Sequence, residues 1–338
     1  MSKHELIDGQ LISWDRLADR EWKTLLLGNG LSINLWSKFK YQSLFSSAAL
    51  NAQAKRIFQA LDTVNFERCL ECLHHANVAL NALGIPTEPV DTTYKHVRDA
   101  LFNTVGQVHV QWSDFPAATQ IHIANEIAEF QSVFTTNYDL CLYWSQMWVQ
   151  EHCENSNLHI VDLFWADGNR FDPRDSEPRS AAATRVLYLH GGIHLWQEDH
   201  TGNNGKWVHG NTSLLDLADK YIPESNRRPL FVSEGSAEAK SQSIRKSSYL
   251  SFCLDQLTRD EKPTIVFGHA LADQDKHILA ALNRGRRRRI AISIYPTGDS
   301  KAIATEKARL LRDLGDHDVE FFDSTTHPLG APALSITD

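Results

Sequence analysis

The chain has 338 residues, of which 42% are hydrophobic and 22% are charged, and its net charge is −8. This composition is typical of a globular protein with an ordinary core, and the length suits one large α/β domain with an insertion, or two domains. The acidic balance argues against broad nucleic-acid binding, and no apolar stretch approaches the roughly 18 residues of a membrane span.

The cellular location is predicted from the N-terminal sequence and the cysteines. The opening residues, MSKHELIDGQ, lack the apolar segment of a secretory signal. The five cysteines are scattered and odd in number, which is typical of reduced thiols in a cytosol. We therefore expect a cytoplasmic protein without a membrane segment.

The first predicted element is a strand that ends in a glycine turn. Leu25, Leu26 and Leu27 form a continuous apolar run, as expected for a strand buried on both faces of a parallel sheet. Gly28 and Gly30 break this run, and a helical pattern follows. Glycines allow backbone N–H groups to approach a phosphate, although such turns also occur without a nucleotide.

Residues 46–130 differ from the rest of the chain, because their apolar positions follow helical spacing and no strand pattern is evident. We interpret them as a helical insertion into a core formed by residues 18–45 and 131–338, all within one domain. From residue 131 onward strands and helices alternate, which predicts a Rossmann-like α/β fold with a mainly parallel sheet. The predicted strands are SVFTT, HIVDLFW, RVLYLHG, PLFVSEG, TIVFGHAL, RIAISIYP and DVEFFDS. The long segments ADGNRFDPRDSEPRSAA and EDHTGNNGKWVHGNTS are predicted to be polar loops.

Small, polar or titratable residues follow several of the predicted strands. Ligands in open α/β sheets bind outside the carboxyl ends of the strands, so these residues predict a binding site. They are Gly28-Asn29-Gly30-Leu31-Ser32, then Thr136, Asn137 and Asp139, then His190-Gly191-Gly192, then Ser233-Glu234-Gly235, and finally Gly268-His269.

Each of these residues also has a purely structural interpretation. Asn137 can cap a helix that starts near Tyr138, and His190 can be a hydrogen-bonded core histidine at a flexible glycine turn. The spacing of His190 and His194 would suit a metal on a helix, but the intervening glycines disfavour a helix. We therefore expect no metal.

Two further patterns favour a structural explanation. Cys69 and Cys72 form a C-x-x-C pair without a second pair at zinc-ribbon spacing, so we interpret them as helical cysteines in or near the core. The run Arg286–Arg289 is predicted to close a helix and open a strand, because cations are favourable near helix C-termini. A contact with a phosphate or a partner is the alternative for this run.

Taken in order, the motifs LLLGNGLS, FTTNYD, LYLHGGIHLW, VFGHALADQD and FVSEGSAEAKSQSIRKSSYL resemble the SIR2-like (sirtuin-fold) family, and more closely its bacterial antiphage-defence branch. The resemblance covers residues 18–45 and 131–327. It implies a SIR2-like fold, NAD as substrate without a metal, and cleavage of the nicotinamide–ribose bond. Sirtuin deacylases carry a four-cysteine zinc module after the histidine. Here no cysteine follows His190 until Cys253, which disfavours deacylation.

The resemblance also implies roles for individual residues. Asn137 would hold the attacking water or the ribose hydroxyls, His190 would act as general base, and Asp139 would orient the loop around Asn137. Gly28, Gly30 and Ser32 would cradle the diphosphate. The remaining nucleotide-binding candidates are Asn29, Thr136, Gly268 and His269.

The expected activity requires control, because unregulated NAD hydrolysis would deplete the cell of NAD. The resemblance implies an antiphage effector that acts as a homo-oligomer or with a protein partner, such as a co-encoded ATPase or nucleotide-processing enzyme. Direct nucleic-acid binding is not expected. The alternatives are a sensor that binds ADP-ribose or a nucleotide without turnover, and a protein deacylase. The sequence does not separate NAD from NADP, or a linear from a cyclic ADP-ribose product.

Overall fold

The computed structural model describes residues 8–152, 158–208, 214–216, 221 and 226–337. Ten strands occur in this part of the chain. They are β1 (Thr24–Leu27), β2 (Ser132–Thr135), β3 (Ile160–Val161), β4 (Thr184–Tyr188), β5 (Gly191–Glu198), β6 (Asn204–Lys206), β7 (Arg227–Phe231), β8 (Thr264–Phe267), β9 (Arg289–Ile294) and β10 (Asp318–Asp323).

Seven of these strands form one parallel sheet with the order β10-β9-β8-β1-β2-β4-β3. The central strand β1 is fully buried, as its leucine run predicts for a strand covered on both faces. It pairs with β2 on one side and with β8 on the other, so Leu27 lies beside both Thr135 and Phe267. After β1, the chain adds strands β2, β4 and β3 on one side of it, and then β8, β9 and β10 on the other side. The topological switch point therefore lies between β1 and β8, and ligands bind at such positions in open α/β sheets. The predicted Rossmann-like α/β class is confirmed.

Helices cover the sheet and occupy most of the segment between β1 and β2. The α-helices are α1 (Asp15–Ala18), α2 (Asn29–Leu35), α3 (Tyr41–Ser47), α4 (Ala52–Ala60), α5 (Phe66–Ala82), α6 (Glu88–Val108), α7 (Ala117–Ala128), α8 (Cys141–His152), α9 (Ala237–Arg245), α10 (Ser248–Arg259), α11 (Lys276–Leu282) and α12 (Ser300–Asp313). The described helices do not include one long and apolar enough to cross a membrane. The exact boundaries of the insertion within a single domain stay a prediction.

A second, antiparallel sheet of three strands, ordered β6-β5-β7, was not predicted. PLFVSEG was expected to continue the parallel sheet, but β7 pairs antiparallel with β5 instead. The expected loop EDHTGNNGKWVHGNTS contains β6, while its residues 209–213 lie outside the described part of the chain. The glycines after His190 do not form the predicted flexible turn, since Gly191 already begins β5. Short strands without apolar alternation, such as Asn204–Lys206, give no sequence signal.

The cysteine pair has the structural role that its pattern predicts. Cys69 and Cys72 both lie in α5, where Cys69 is buried and Cys72 is exposed.

The arginine run also has the predicted position, between the end of α11 and the start of β9. Arg288 is buried, donates to Leu282 O at 3.0 Å and pairs with Asp260 at 3.2 Å. Arg287 pairs with Asp318. The run therefore stabilises the connection between helix and strand, and a partner contact stays a prediction.

Candidate functional site

A cavity of about 420 Å³ lies where the carboxyl ends of β1, β2 and β8 meet the helices of the segment between β1 and β2. Eight of the ten residues that were assigned a catalytic or nucleotide-binding role from the sequence line it, whereas Gly191, Gly192, Ser233, Glu234 and Gly235 do not. The eight are Asn29, Gly30, Thr136, Asn137, Asp139, His190, Gly268 and His269. The other two, Gly28 and Ser32, contact these lining residues directly. Residues far apart in sequence are therefore close together, although their positions do not by themselves establish a role.

The two glycines after β1 are required for close packing between loops. A Cβ on Gly30 would lie 2.6 Å from Gly268 Cα, and a Cβ on Gly28 would lie 2.6 Å from Gly268 O. The N–H of Gly28 donates to Phe267 O at 3.0 Å, and that of Gly30 donates to Gly268 O at 2.8 Å. These N–H groups are engaged within the protein, so the predicted diphosphate cradle does not follow from them.

Asn137, Ser32 and Asp139 form a directed chain of hydrogen bonds. Asn137 Nδ2 donates to Ser32 Oγ at 2.8 Å, and the Ser32 hydroxyl donates to Asp139 Oδ2. Asp139 Oδ1 accepts the N–H of Cys141 at 2.9 Å, where α8 begins. The alternative of Asn137 as a helix cap is therefore wrong, because Asp139 holds the first turn of α8.

This series of hydrogen bonds leaves one hydrogen-bond acceptor, Asn137 Oδ1, without a partner among the described residues. The proton of Ser32 goes to a carboxylate, so Ser32 Oγ accepts the amide N–H of Asn137 and fixes the orientation of that amide. Asn137 Oδ1 is consequently buried without a hydrogen-bond partner among the described residues, in a side chain that lines the cavity. An unpaired buried acceptor is costly, and a ligand or water that donates to it would satisfy it.

His190 occupies the turn between β4 and β5 and is buried. Its Nε2 lies 2.8 Å from His277 Nε2 and 3.9 Å from Asp275 Oδ1. Burial, with the nearby Lys240 ammonium, holds the pKa of His190 well below its usual range, so the imidazole is neutral at pH 7. A neutral imidazole is the form that accepts a proton.

A buried ion cluster forms the wall beside His190. Lys240 Nζ on α9 lies 2.9 Å from Glu67 Oε2 on α5 and 2.8 Å from Asp275 Oδ1. Burial alone would raise the pKa of Asp275, but the nearby Lys240 ammonium, followed by the imidazoles of His190 and His269, keeps that pKa below its usual range. Asp275 Oδ2 also lies 3.7 Å from His269 Nε2. His269 Nδ1 accepts the N–H of Leu271, so the neutral ring carries its proton on Nε2, towards the carboxylate.

Sequence reasoning missed Glu67, Lys240, Asp275 and His277. Asp275 and His277 follow Gly268-His269 by a few positions, so the search for polar residues after a strand would have found them if extended further. Glu67 and Lys240 meet across 173 positions, and neither has a local signal.

His190 and His194 do not occur together in any described group of side chains whose ligand atoms are close enough to share a metal. His194 lies on β5, stacks on Tyr143 at 4.6 Å, and has no described partner at either ring nitrogen. Two other groups have suitable spacing: His109–Asp139–Cys141 and His190–Asp275–His277. Both ring nitrogens of His109 are occupied by backbone groups, and Lys240 already pairs with Asp275.

Comparison with known proteins gave three kinds of result. Among solved structures, the chain is similar to one described as "Structural Basis for the Mechanism and Regulation of Sir2 Enzymes", with 12% identity, coverage of 95% of this chain and 92% of that chain, and a TM-score of 0.35. "Structure of Sir2Tm bound to a propionylated peptide" has 14% identity, coverage of 89% and 96%, and a TM-score of 0.34. "Sir2 bound to acetylated peptide" has 13% identity, the same coverage, and a TM-score of 0.33.

These similarities are low, and the fold described above rests on the sheet topology alone. No curated protein sequence matches the chain. A family model does match, over residues 25–329, and the chain therefore belongs to the family described as "Domain of unknown function (DUF4917)".

Proposed function

We propose that the chain hydrolyses NAD⁺ at the nicotinamide–ribose bond and releases nicotinamide and ADP-ribose. The observation that carries this proposal is the buried, unpartnered Asn137 Oδ1 in the cavity that also contains His190, which is neutral at pH 7. A free hydrogen-bond acceptor and a neutral base in the same cavity suit the binding and activation of a water molecule. The motif resemblance to the SIR2-like family points to the same reaction.

The bond changes follow from the chemistry of the substrate. The C–N bond between ribose and nicotinamide breaks, and its electron pair neutralises the pyridinium ring, so the leaving group is neutral. The ribose acquires oxocarbenium character, as in other glycoside cleavages. Water bound to Asn137 Oδ1 attacks the anomeric carbon, and His190 accepts the proton that this water loses.

The same cavity also offers groups for the rest of the nucleotide. Gly30 and Gly268 line it without side chains, and Asn29, Asn65 and Gln274 supply neutral amide groups. Asn65 Oδ1 accepts the N–H of Glu67 at 2.9 Å, so its Nδ2 is the end left to bind a ligand. We place the diphosphate here, bound by neutral donors.

The decisive experiment is a time course of nicotinamide release from NAD⁺ by the purified chain, beside Asn137→Ala and His190→Ala. We expect both variants to lose activity by about 100-fold or more, since positioning and base catalysis each contribute on that order. Asn81→Ala and His75→Ala change exposed residues of α5 and are matched controls that should keep full activity. If neither NAD⁺ nor ADP-ribose binds in calorimetry, the nucleotide proposal is wrong.

One observation favours a sensor as the second candidate. His190 Nε2 is hydrogen-bonded to His277, and the N–H groups of Gly28 and Gly30 are hydrogen-bonded to backbone oxygens. Groups that are already hydrogen-bonded within the protein suit a site that binds a ligand without converting it. Tight ADP-ribose binding with no nicotinamide release at any protein concentration would support this candidate.

We also propose the biological role that the resemblance implies, namely depletion of NAD in bacterial antiphage defence. Assembly into an oligomer or a protein partner would control the activity. Activity per molecule that is independent of protein concentration, and equal with and without a co-encoded ATPase or nucleotide-processing enzyme, would contradict this control. Parallel assays with NADP, and chromatography of the product, identify the nucleotide and distinguish linear from cyclic ADP-ribose.

A further inference from the structure

The cavity has an unusual charge for a site that would hold a nucleotide. No lysine or arginine is among the described residues that line it, whereas Glu67, Asp139 and Asp275 contribute carboxylates. The rings of Phe39, Tyr41 and Tyr138 line the same space. Carboxylates with aromatic rings suit a flat cationic group, because ring faces attract cations and carboxylates complement their charge.

The three carboxylates that line the cavity have different surroundings. Asp139 is engaged by Ser32 and the start of α8. Asp275 is held by Lys240 and lies within 4 Å of two imidazoles. Glu67 meets the same Lys240, whose side chain is fully buried behind the wall.

Two carboxylates therefore share one ammonium, and the cluster has a net charge of −1 when both are ionised. The histidines around it do not compensate this charge. Burial, as the largest cause, lowers the pKa of His190, His269 and His277, so all three are neutral at pH 7. Burial raises the pKa of the Glu67 carboxyl group, and the Lys240 ammonium opposes this rise. While both carboxylates are ionised, their net negative charge next to aromatic rings attracts a cation more strongly than it would in water, because the surroundings have a low dielectric.

We propose that Glu67 is a specificity residue that selects a positively charged aromatic ring, the pyridinium group of an oxidised nicotinamide nucleotide. The inference rests on the proposed function and adds to it: helix α5, which precedes β2 in the chain, supplies the charge that distinguishes the oxidised substrate from its neutral, reduced form and from ADP-ribose. Glu67 lies between Asn65, which caps α5, and Lys240, so the backbone and the side chain are both held.

The test uses calorimetry with matched cationic and neutral probes. The first pair is 1-methylnicotinamide, which is cationic because its methyl group is on the ring nitrogen, and neutral nicotinamide; neither requires a nucleotide site. The second pair is NAD⁺ and NADH, with ADP-ribose as a ligand that lacks the ring. In the wild type we expect the cationic member of each pair to bind on the order of tenfold more tightly.

The matched variants are Glu67→Gln, which removes the charge and keeps an oxygen for Lys240, and Glu71→Gln, one turn further along α5 and outside the cavity lining. Glu67→Gln should remove the preference for the cation and leave ADP-ribose affinity unchanged, while Glu71→Gln should behave as wild type. Glu67→Asp, which keeps the charge, should retain part of the preference.

The outcomes separate the two proposals. If the wild type binds 1-methylnicotinamide and nicotinamide equally, the charge selection is wrong, whatever the NADase assay gives; this comparison needs no variant to fold. Equal losses of NAD⁺ and ADP-ribose affinity in Glu67→Gln would also overturn it. If the cation preference is present and depends on Glu67 but NAD⁺ is not cleaved, the inference stands and the proposed hydrolysis fails.

Discussion

Asn137 Nδ2 donates to Ser32 Oγ at 2.8 Å, across 105 positions of sequence, and this bond determines which end of the Asn137 amide is left to bind a ligand. Ser32 is itself fixed, since its hydroxyl donates to Asp139. The loop after β2 and the helix after β1 are therefore coupled through one hydroxyl group. Ser32, for which a phosphate contact stays a prediction, thus orients the proposed water-binding group.

Replacing Ser32 with alanine tests this relationship. Without the hydroxyl, the Asn137 amide loses its orientation, so we expect kcat for nicotinamide release to fall about 10- to 100-fold while KM changes little. Ser32→Thr keeps a hydroxyl and should restore most of the rate. Unfolding curves of the three proteins separate this effect from lost stability. An unchanged kcat in Ser32→Ala would contradict the positioning role.

His277→Gln tests how the second imidazole affects the first. His277 is one of the groups that lower the pKa of His190, although burial and Lys240 contribute more. Its removal should raise the pKa of His190, and because the base must be neutral, the acidic limb of the kcat/KM profile should move to higher pH. The measurement is a pH profile between about 4 and 8, with His75→Gln as a control at an exposed position. A shift to lower pH would contradict the arrangement.

How much could be predicted from the sequence depended on whether the signal was local. The strand Leu25–Leu27 and the positions of Asn137 and His190 follow from short patterns, because burial on both faces and strand ends have local signatures. Lys240 had no such signature, since its partners come from α5 and from the loop after β8. The small strand β6 could not be predicted either, because its pairing with β5, and not its own composition, makes it a strand.

Lys240→Met tests the stability of the buried ion cluster. The substitution removes the Lys240 ammonium and leaves Glu67 and Asp275 close together without a cation. Breaking a buried pair in this way costs about 3–5 kcal/mol of unfolding free energy. Urea unfolding at pH 7.5 measures the loss. Combining Lys240→Met with Glu67→Gln removes one of the two stranded charges, so the double variant should be more stable than Lys240→Met alone. Additive losses would contradict a shared cluster.

Gly30→Ala tests the close approach of the two loops. The new Cβ would lie 2.6 Å from Gly268 Cα, so the turn after β1 and the loop after β8 must separate. We expect a loss of stability of about 1–3 kcal/mol and reduced ligand binding. Gly106→Ala is the matched control, because Gly106 lies in α6 with open space around its Cα and should gain up to about 1 kcal/mol. Equal effects of the two substitutions would contradict the packing argument.

His194 makes the protein sensitive to acid for a reason unrelated to the proposed reaction. Burial lowers the pKa of its imidazole to about 3, whereas an unfolded histidine titrates near 6.5. Between these two values the unfolded state binds a proton that the folded state does not, so folding stability decreases as the pH falls. The slope from this residue approaches about 1.4 kcal/mol per pH unit.

His194→Phe should therefore stabilise the protein at every pH below about 7, and most strongly in acid. At neutral pH the substitution removes two buried nitrogens that have no described partner, and a phenyl ring keeps the stacking on Tyr143. At pH 5 the advantage over wild type should increase by about 2 kcal/mol, because only the wild type has this proton to bind on unfolding. Urea unfolding at pH 7.5 and pH 5.0 measures both values, with the exposed His75→Phe as control. A gain that is the same at both pH values would show that His194 is not held neutral.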